Sequence, residues 1–365
     1  MSSETEIETG RAEIQAILCR AGVISLGTSI ELKPLEGGVS SDIFRVDLKT
    51  RPICIKKARA KLKVRADWRA PVTRNLFEAL WFQIVGAIEP NAAPDIIHID
   101  AAANAIVMEF LEPATHPVWK AMLRDGQVDP AVAAQLGTIL ANIHAATATR
   151  NDIRRVFPTD RIFFDIRLEP YLLATGAQHP DLAPLLERLA RRTAETKLAL
   201  VHGDVSPKNI LIGAKGPVLL DAECAWFGDP AFDLAFCLNH LLLKCIWRPQ
   251  HAARYLTCFD ALSQTYLQKV SWEHAEDTEA RAADLLPALL LARIDGKSPV
   301  EYINEAVDRE RVRHVAFPLI RQPVSRLAQI RAVWSEEMGL DEPEQDNSVE
   351  GPAGLGQSRT SDPRS

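Results

Sequence analysis

The sequence predicts an α+β, bilobed chain with a small β-rich N-lobe and a larger helical C-lobe. Three observations predict it. Short runs of β-branched residues separated by Gly and Pro turns fill residues 28–58 and 96–110. A helical apolar period sits between them and returns after Pro113. Composition is that of an ordinary globular protein, with 365 residues, 47% hydrophobic and 25% charged.

The elements follow in order. Residues 1–8 are polar and predict a frayed start, while Ile14, Ile17, Leu18 and Ala21 mark a first amphipathic helix that ends at Gly22. Gly37-Gly38 is a turn signal ahead of Ile43, Phe44, Val46 and Leu48, and Thr50-Arg51-Pro52 turns the chain into Ile53-Cys54-Ile55-Lys56. Residues 72–88 read as a helix with Leu76, Leu80, Ile84 and Ala87 on one stripe. Ile96–Ile99 and Ala105–Phe110 read as strands. Helices are predicted over 131–148 and 181–197, then short strands at Leu198–Val201, Asn209–Ile212 and Val218–Leu220. Residues 231–335 are helix-rich, and from 339 few apolar residues remain, which predicts a disordered tail. The expected division is an N-terminal helix over 1–24, a nucleotide-binding N-lobe over 25–111, a catalytic C-lobe over 112–338, and the tail over 339–365.

Composition excludes several classes. The net charge of −6 argues against a nucleic-acid partner, which needs a basic face. The most apolar run, Leu285–Ala292, has eight residues, far short of the ~18 that a spanning helix needs, so no membrane partner is expected. The acidic MSSETEIE start reads as neither signal nor transit peptide. The six cysteines show no C-x-x-C pair and sit among apolar neighbours, as reduced buried thiols do. Together these predict a cytoplasmic protein; oligomeric state is not legible.

The chemistry-bearing pattern is His202-Gly203-Asp204 with Asn209 five residues past the Asp, between two apolar strands, and Asp221 at the end of Val218-Leu219-Leu220. Phosphoryl transfer asks for such parts: a carboxylate to take the acceptor hydroxyl's proton, and an amide oxygen and second carboxylate to hold Mg²⁺. The first lobe offers the rest. The Gly37, Gly38, Ser40 and Ser41 turn can bring backbone N–H groups near phosphate oxygens, and a plain hairpin turn reads equally well. Lys56 ends a buried strand and needs an anionic partner. Glu78 is the candidate, as the only charged side chain from Phe77 to Ile88. Lys57 is its rival for Lys56's role, one residue and one face away. Ile106–Leu111 suits a hinge whose backbone, at Glu109 and Leu111, reads an adenine edge; an ordinary last strand has the same letters.

VHGDVSPKNILI and LLDAECAWFGDPAFDLA resemble the aminoglycoside phosphotransferase / choline kinase superfamily over roughly residues 25–335, a branch of the protein-kinase-like fold. The resemblance implies ATP and Mg²⁺ as cofactors, Asp204 as catalytic base, Asn209 and Asp221 as metal ligands, and Lys56 with Glu78 as the phosphate-gripping ion pair. It also implies Asp233 as a brace for the catalytic loop, with His202 architectural. Glu223 is left between a shared metal site and a solvated carboxylate.

Lys56-Lys57-Ala58, the segment Ala66–Arg74 and Glu78-Ala79 are similar to methylthioribose kinases. That subgroup carries Ser at the place of Asn209 and D-P-E where Asp221-Ala222-Glu223 stands, so the likeness extends to the N-lobe and not to the acceptor. Arg293–Pro299 reads either as lining an acceptor pocket or as a helix–helix turn, and its basic residues lean toward a neutral or anionic acceptor. His144 reads as a core histidine.

The expected function is ATP/Mg²⁺-dependent transfer of a γ-phosphate to a hydroxyl of a small polar metabolite such as a sugar, amino alcohol or aminoglycoside. The rival is a nucleotide-binding regulatory pseudokinase without turnover. A protein kinase fits less well, since no D-F-G or A-P-E follows.

Overall fold

A computed structural model describes residues 2–35, 41–59 and 71–340, with side chains from Gly10 onward. Gly37, Gly38 and Ser40 of the glycine turn, the tryptophan segment around Trp68 and the expected tail beyond 340 lie outside the described residues.

An N-terminal helix, α1 (Ser2–Arg20), precedes a five-stranded antiparallel sheet built from β1 (Leu32–Pro34), β2 (Ser41–Asp47), β3 (Pro52–Ala58), β4 (Ile96–Asp100) and β5 (Ala105–Glu109). The strand order is β1-β2-β3-β5-β4. Helix α1 starts earlier than the polar composition of 1–8 suggested, because nothing in that stretch breaks a helix before Gly10. The loop between β3 and β4 carries α2 (Arg74–Ile88).

The period of two decides what each face of β3 does. Ile53 and Ile55 share a core with Ile14, Ile17 and Leu18 of α1 and with Val46 and Val107. Cys54 belongs instead to the large core on the other face, with Ile106, Met108 and the α2 residues Trp81, Phe82 and Val85. Lys56 follows Cys54 by two and shares its face; Lys57 turns toward α1 and pairs with Glu13 at 2.6 Å. That register puts Lys56, and not Lys57, on the face that looks toward α2.

The expected stripe on α2 is corrected. Leu76, Leu80 and Ile84 are half-buried and Ala87 is exposed, whereas Asn75, Glu78, Ala79, Trp81, Phe82 and Val85 are buried. The helix is clasped on two sides, so its most enclosed face carries the polar groups the sheet needs. Asn75 donates to the carbonyls of Lys56 and Asn104.

The remainder is mostly helical: α3 (Trp119–Arg124), α4 (Pro130–Thr147), α5 (Asn151–Val156), α6 (Asp160–Phe163), a π-helical stretch Phe164–Leu173, α7 (Ala174–Gln178) and α8 (Ala183–Glu195). After four short strands come α9 (Ala231–Trp247), α10 (Ala252–Gln268), α11 (Ala275–Asp295), α12 (Ala306–Arg321) and α13 (Leu327–Glu337). Helix α4 packs on α10, and α9 lies between α10 and α11. The wholly apolar run in α11 is buried on all sides, and among the described residues no helix is long and apolar enough to cross a membrane.

Candidate active site

Two short antiparallel pairs set the loop at its centre. Strand β6 (Ala199–Val201) pairs with β9 (Trp226–Gly228), which the sequence did not suggest, and β7 (Ile210–Gly213) pairs with β8 (Gly216–Leu219). Between β6 and β7 run His202-Gly203-Asp204 and a single 3-10 turn, Pro207–Asn209. Gly203 has φ +78°, and a Cβ there would meet Cys224 at 2.8 Å, so no other residue fits the bend.

Asp233, wholly buried at the start of α9, accepts from the backbone N–H of His202 at 2.7 Å and of Gly203 at 2.8 Å. His144 lies against the same carboxylate at 3.3 Å and against Tyr266 Oη at 2.8 Å. His144 is the core residue expected, with a bracing contact that the sequence did not signal. His202 donates from Nε2 to the Leu220 carbonyl at 3.1 Å and accepts at Nδ1 from the Asp204 N–H, also at 3.1 Å. Both contacts suit the neutral ring, and burial holds its pKa below the usual histidine value against the pull of Asp233 and Asp204. The edge of His202 meets Trp81 at 4.8 Å between centroids, which ties the loop to α2.

Asp204 receives Nδ2 of Asn209 at 2.8 Å and the guanidinium of Arg167 at 2.8 Å, with Lys208 at 3.6 Å. Burial would raise this carboxyl; Arg167 first, then Lys208, overrule it and hold the pKa below the usual aspartate value. Arg167 also donates to the carbonyls of Gly203 at 2.5 Å and Ile166 at 2.6 Å. The sequence carried no clear signal for it: Arg167 is the only basic residue between Ile162 and Leu173, but Asp165 and Glu169 flank it, so it does not stand as a lone charge the way Glu78 does.

Asn209 points its amide nitrogen at Asp204, which frees its oxygen as a ligand. Its backbone carbonyl accepts from Leu220 N–H at 2.8 Å, so Asn209 and Asp221 are held in register. Asp221 has φ +66°, a strained conformation for a residue with a Cβ.

Lys56 joins the sheet to this loop. Its Nζ lies 2.6 Å from Asp221, 2.8 Å from Glu78 and 2.9 Å from Glu223. Arg74 adds a second cation at 2.8 Å from Glu223, and Ser41 Oγ donates to the same carboxylate at 2.8 Å. Glu223 is therefore neither solvated nor a free ligand: it is buried between two cations. Ser41 commits its hydroxyl to that carboxylate. Three carboxylates face two cations here, one negative charge in excess, and Glu78 absorbs it. Burial first, then repulsion from Glu223 and Asp221, push its pKa up to about 8 against the pull of Lys56. Lys56 stands well above an ordinary lysine, since Asp221, Glu223 and Glu78 overrule the effect of burial.

A cleft of about 340 Å³ opens onto these groups. Lys56, Glu78, Asn209 and Asp221 line its polar end; Leu35, Ile43, Met108 and the Glu109–Leu111 segment line its apolar end. Glu109 gives its backbone N–H to the Asp95 carbonyl at 2.9 Å. Oxygen donors suit a hard divalent cation, and Asp221, whose side chain is 34% exposed, offers one toward the cleft beside the Asn209 amide. Glu78, Asp221 and Glu223 also lie within 4.8 Å of one another, but the Lys56 ammonium already fills the space they enclose.

Arg293–Pro299 is divided by the structure. Lys297 is exposed and pairs with Glu169, and its backbone N–H caps on the Pro170 carbonyl. Arg293 is buried.

Comparison with known proteins agrees with this geometry. Residues 31–266 match the family model of the phosphotransferase enzyme family. A methylthioribose kinase of Erwinia tasmaniensis is 29% identical over 209 residues, 50% of this chain and 51% of that protein. One from Cronobacter sakazakii is 28% identical over 283 residues, 69% of each. The chain spans about half to three fifths of the length of the first curated relatives it matches. Among solved structures, amicoumacin kinase hAmiN, in complex with AMP-PNP, Ca²⁺ and Ami, aligns with 88% of this chain and 97% of its own at a TM-score of 0.53 and 13% identity, a likeness of fold. With a family model matched over most of its length, the chain belongs to the phosphotransferase enzyme family.

Proposed function

We propose that the chain is an ATP- and Mg²⁺-dependent kinase that moves the γ-phosphoryl group to a hydroxyl of a small polar acceptor. The observation that carries the reading is the shared anchoring of Asp204, Asn209 and Asp221 by one loop and one strand end, with Lys56 reaching Asp221 from the sheet. Asp204, kept ionised by Arg167, takes the hydroxyl proton. Lys56, oriented by Glu78, turns from Asp221 to the α- and β-phosphates when nucleotide enters. Asp221 and the Asn209 oxygen would hold Mg²⁺, which supplies charge neutralisation along the phosphates. The apolar end of the cleft takes the base, with the backbone around Glu109 and Leu111 along its edge. Catalysis by such parts is positioning and charge stabilisation rather than covalent work.

The relatives' own names point to methylthioribose as their acceptor; here that molecule is one candidate among small hydroxylated metabolites. The metal assignment is tested by calorimetric titration of Mg²⁺ with a non-hydrolysable ATP analogue. Asp221→Asn weakens the metal–nucleotide affinity by about ten-fold or more, the scale that even a metal ligand's outer partner carries. Unchanged affinity removes Asp221 from the site.

The acid–base assignment carries a pH signature. Arg167 holds the Asp204 pKa below normal, so Asp204 stays a competent base at acid pH. Arg167→Met raises that pKa and moves the acid limb of the kcat/KM profile upward by about one pH unit or more, the scale of one lost opposite charge. An unmoved limb denies the pairing its role.

A further inference from the structure

One group of basic side chains behind Asp204 has no anionic partners. Lys244 on α9 is 1% exposed, and among the described residues no carboxylate lies within ion-pair distance of it. Its ammonium rests over the rings of Trp247 at 4.9 Å and Tyr302 at 5.0 Å. His240, one turn earlier on α9, is also buried and has no hydrogen-bond partner among the described residues. Arg293, on the neighbouring α11, donates only to neutral oxygens: Tyr171 Oη at 3.1 Å, Ser298 Oγ at 3.0 Å and the Ser298 carbonyl. Its Nε and the Tyr302 hydroxyl are buried without a hydrogen-bond partner among the described residues.

The surroundings are positive as well. Lys120 reaches toward the same Trp247 and Tyr302 rings, but its charge is answered by Glu301. Burial, then Lys120, push the Lys244 pKa down to about 7, with Glu301 opposing and Arg293 adding to the fall. His240 is held well below its ordinary value by burial and by Arg293, Lys244, Lys208 and Lys120, with no carboxylate among its main influences. A buried group of donors with unfilled hydrogen bonds and no acceptor lacks one component, an anion.

The group adjoins Asp204. Tyr171 bears Arg293 and Arg167 at 5.6 Å each from its ring centre, and Arg167 is the partner of Asp204. The field of Arg293 is felt at Asp204 itself. None of His240, Lys244 and Arg293 lines the cleft assigned to nucleotide.

We infer that Lys244, Arg293 and His240 bind an anionic group, carboxylate or phosphate, carried by the acceptor whose hydroxyl Asp204 receives. The inference rests on the kinase reading and narrows it: the acceptor is a small hydroxylated anion, and neither an amino sugar nor an uncharged thiosugar. A polycation would meet like charge, and a neutral sugar would leave the buried cations unanswered.

The test uses the full chain with Mg²⁺ and matched acceptors. Ribose, ribonate, ribose 5-phosphate, methylthioribose and kanamycin, with glycerol, glycerate and glycerol 3-phosphate, are scored by coupled ADP release. Their binding is measured in parallel by calorimetry beside a non-hydrolysable ATP analogue. The expected result is an anionic form used at least about ten-fold better in kcat/KM than its neutral match, a difference of one RT ln 10. Whether the carboxylate or the phosphate arm responds names the group. Lys244→Met and Arg293→Gln each erase that preference and leave nucleotide affinity intact. Lys244→Met also melts no lower than wild type, because methionine keeps an apolar stem against Trp247 and Tyr302 and removes a buried amine that has no carboxylate partner among the described residues; a lysine with a purely structural role would lower the melting temperature.

Preference for methylthioribose, ribose, glycerol or kanamycin overturns the inference while the kinase reading stands. So does an anion preference untouched in both variants. If no acceptor releases ADP, the kinase reading fails and the binding arm decides alone. Anion binding lost in Lys244→Met upholds the subsite; anion binding that is absent, or that survives in that variant, overturns it.

Discussion

Asp204→Asn lowers kcat by about 10²–10⁴-fold, the range that a positioned general base contributes, with nucleotide affinity unchanged. The substitution keeps the shape and the oxygen that accepts from Asn209, so the loop retains its course between Gly203 and the 3-10 turn. What it removes is the negative charge that takes the proton. Both Asp204→Asn and Asp204→Ala break the buried ion pair with Arg167, 8% exposed, at a cost of up to about 3–5 kcal/mol. Asp204→Ala is the harsher, because the Asn variant keeps an amide oxygen for the guanidinium and the alanine variant keeps no acceptor. Comparing the two separates chemistry from folding: ADP release reports the first and urea denaturation the second. Full activity in Asp204→Asn removes Asp204 from the proton transfer.

Lys56→Met is the second large effect, and it acts on both quantities. The ammonium is the countercharge of Glu78, Asp221 and Glu223. Without it Arg74 still serves Glu223 and solvent reaches Asp221, but Glu78 at 1% exposure keeps nothing. Activity is lost, and stability falls by up to about 3–5 kcal/mol at pH values where Glu78 would carry its charge unpaired.

The sign with pH follows from Glu78. Its folded pKa of about 8 lies above the ordinary 4.5, so its contribution to stability is complete below 4.5 and is lost as pH rises through 8. Removing Lys56 raises that pKa further. The deficit of Lys56→Met relative to wild type therefore grows between pH 6 and 9, as read by urea denaturation. Adding Glu78→Gln to Lys56→Met restores much of the stability and none of the activity. A deficit independent of pH denies that Glu78 depends on Lys56.

The same residues show where the sequence was legible. Runs of β-branched residues between turns marked the strands, and period-two alternation put Lys56 and Lys57 on opposite faces, but it could not say which face looks toward α2; the core shared by Ile53, Ile55 and α1 does. Glu78 was legible because a lone charge in an apolar helix needs a partner. Arg167 offers no such signal, since Asp165 and Glu169 flank it and it sits in a π-helical stretch where no simple period draws attention to it.

The α2 stripe misled because the helix is enclosed on two sides, so partial burial of Leu76 and Leu80 says little about where its polar residues go. The strand Trp226–Gly228 is three residues long and pairs only because β6 lies beside it; a run that short has no period to read. Glu223 stands two residues from Asp221 in sequence, and nothing local discloses that Arg74, 149 positions earlier, closes on it. The partners of Lys244 were equally illegible, since its surroundings come from α9, α11 and the loop at Tyr302.

On the kinase reading, Asp221, Asn209 and Lys56 share one metal–nucleotide complex in the cleft. Crystals grown with Mn²⁺ and AMP-PNP test it by anomalous diffraction. A manganese peak is expected at direct-ligand distance, about 2.1 Å, from a carboxylate oxygen of Asp221 and the amide oxygen of Asn209, with the α- and β-phosphates on Lys56. Metal seated on other residues, or a triphosphate lying away from Lys56, contradicts it.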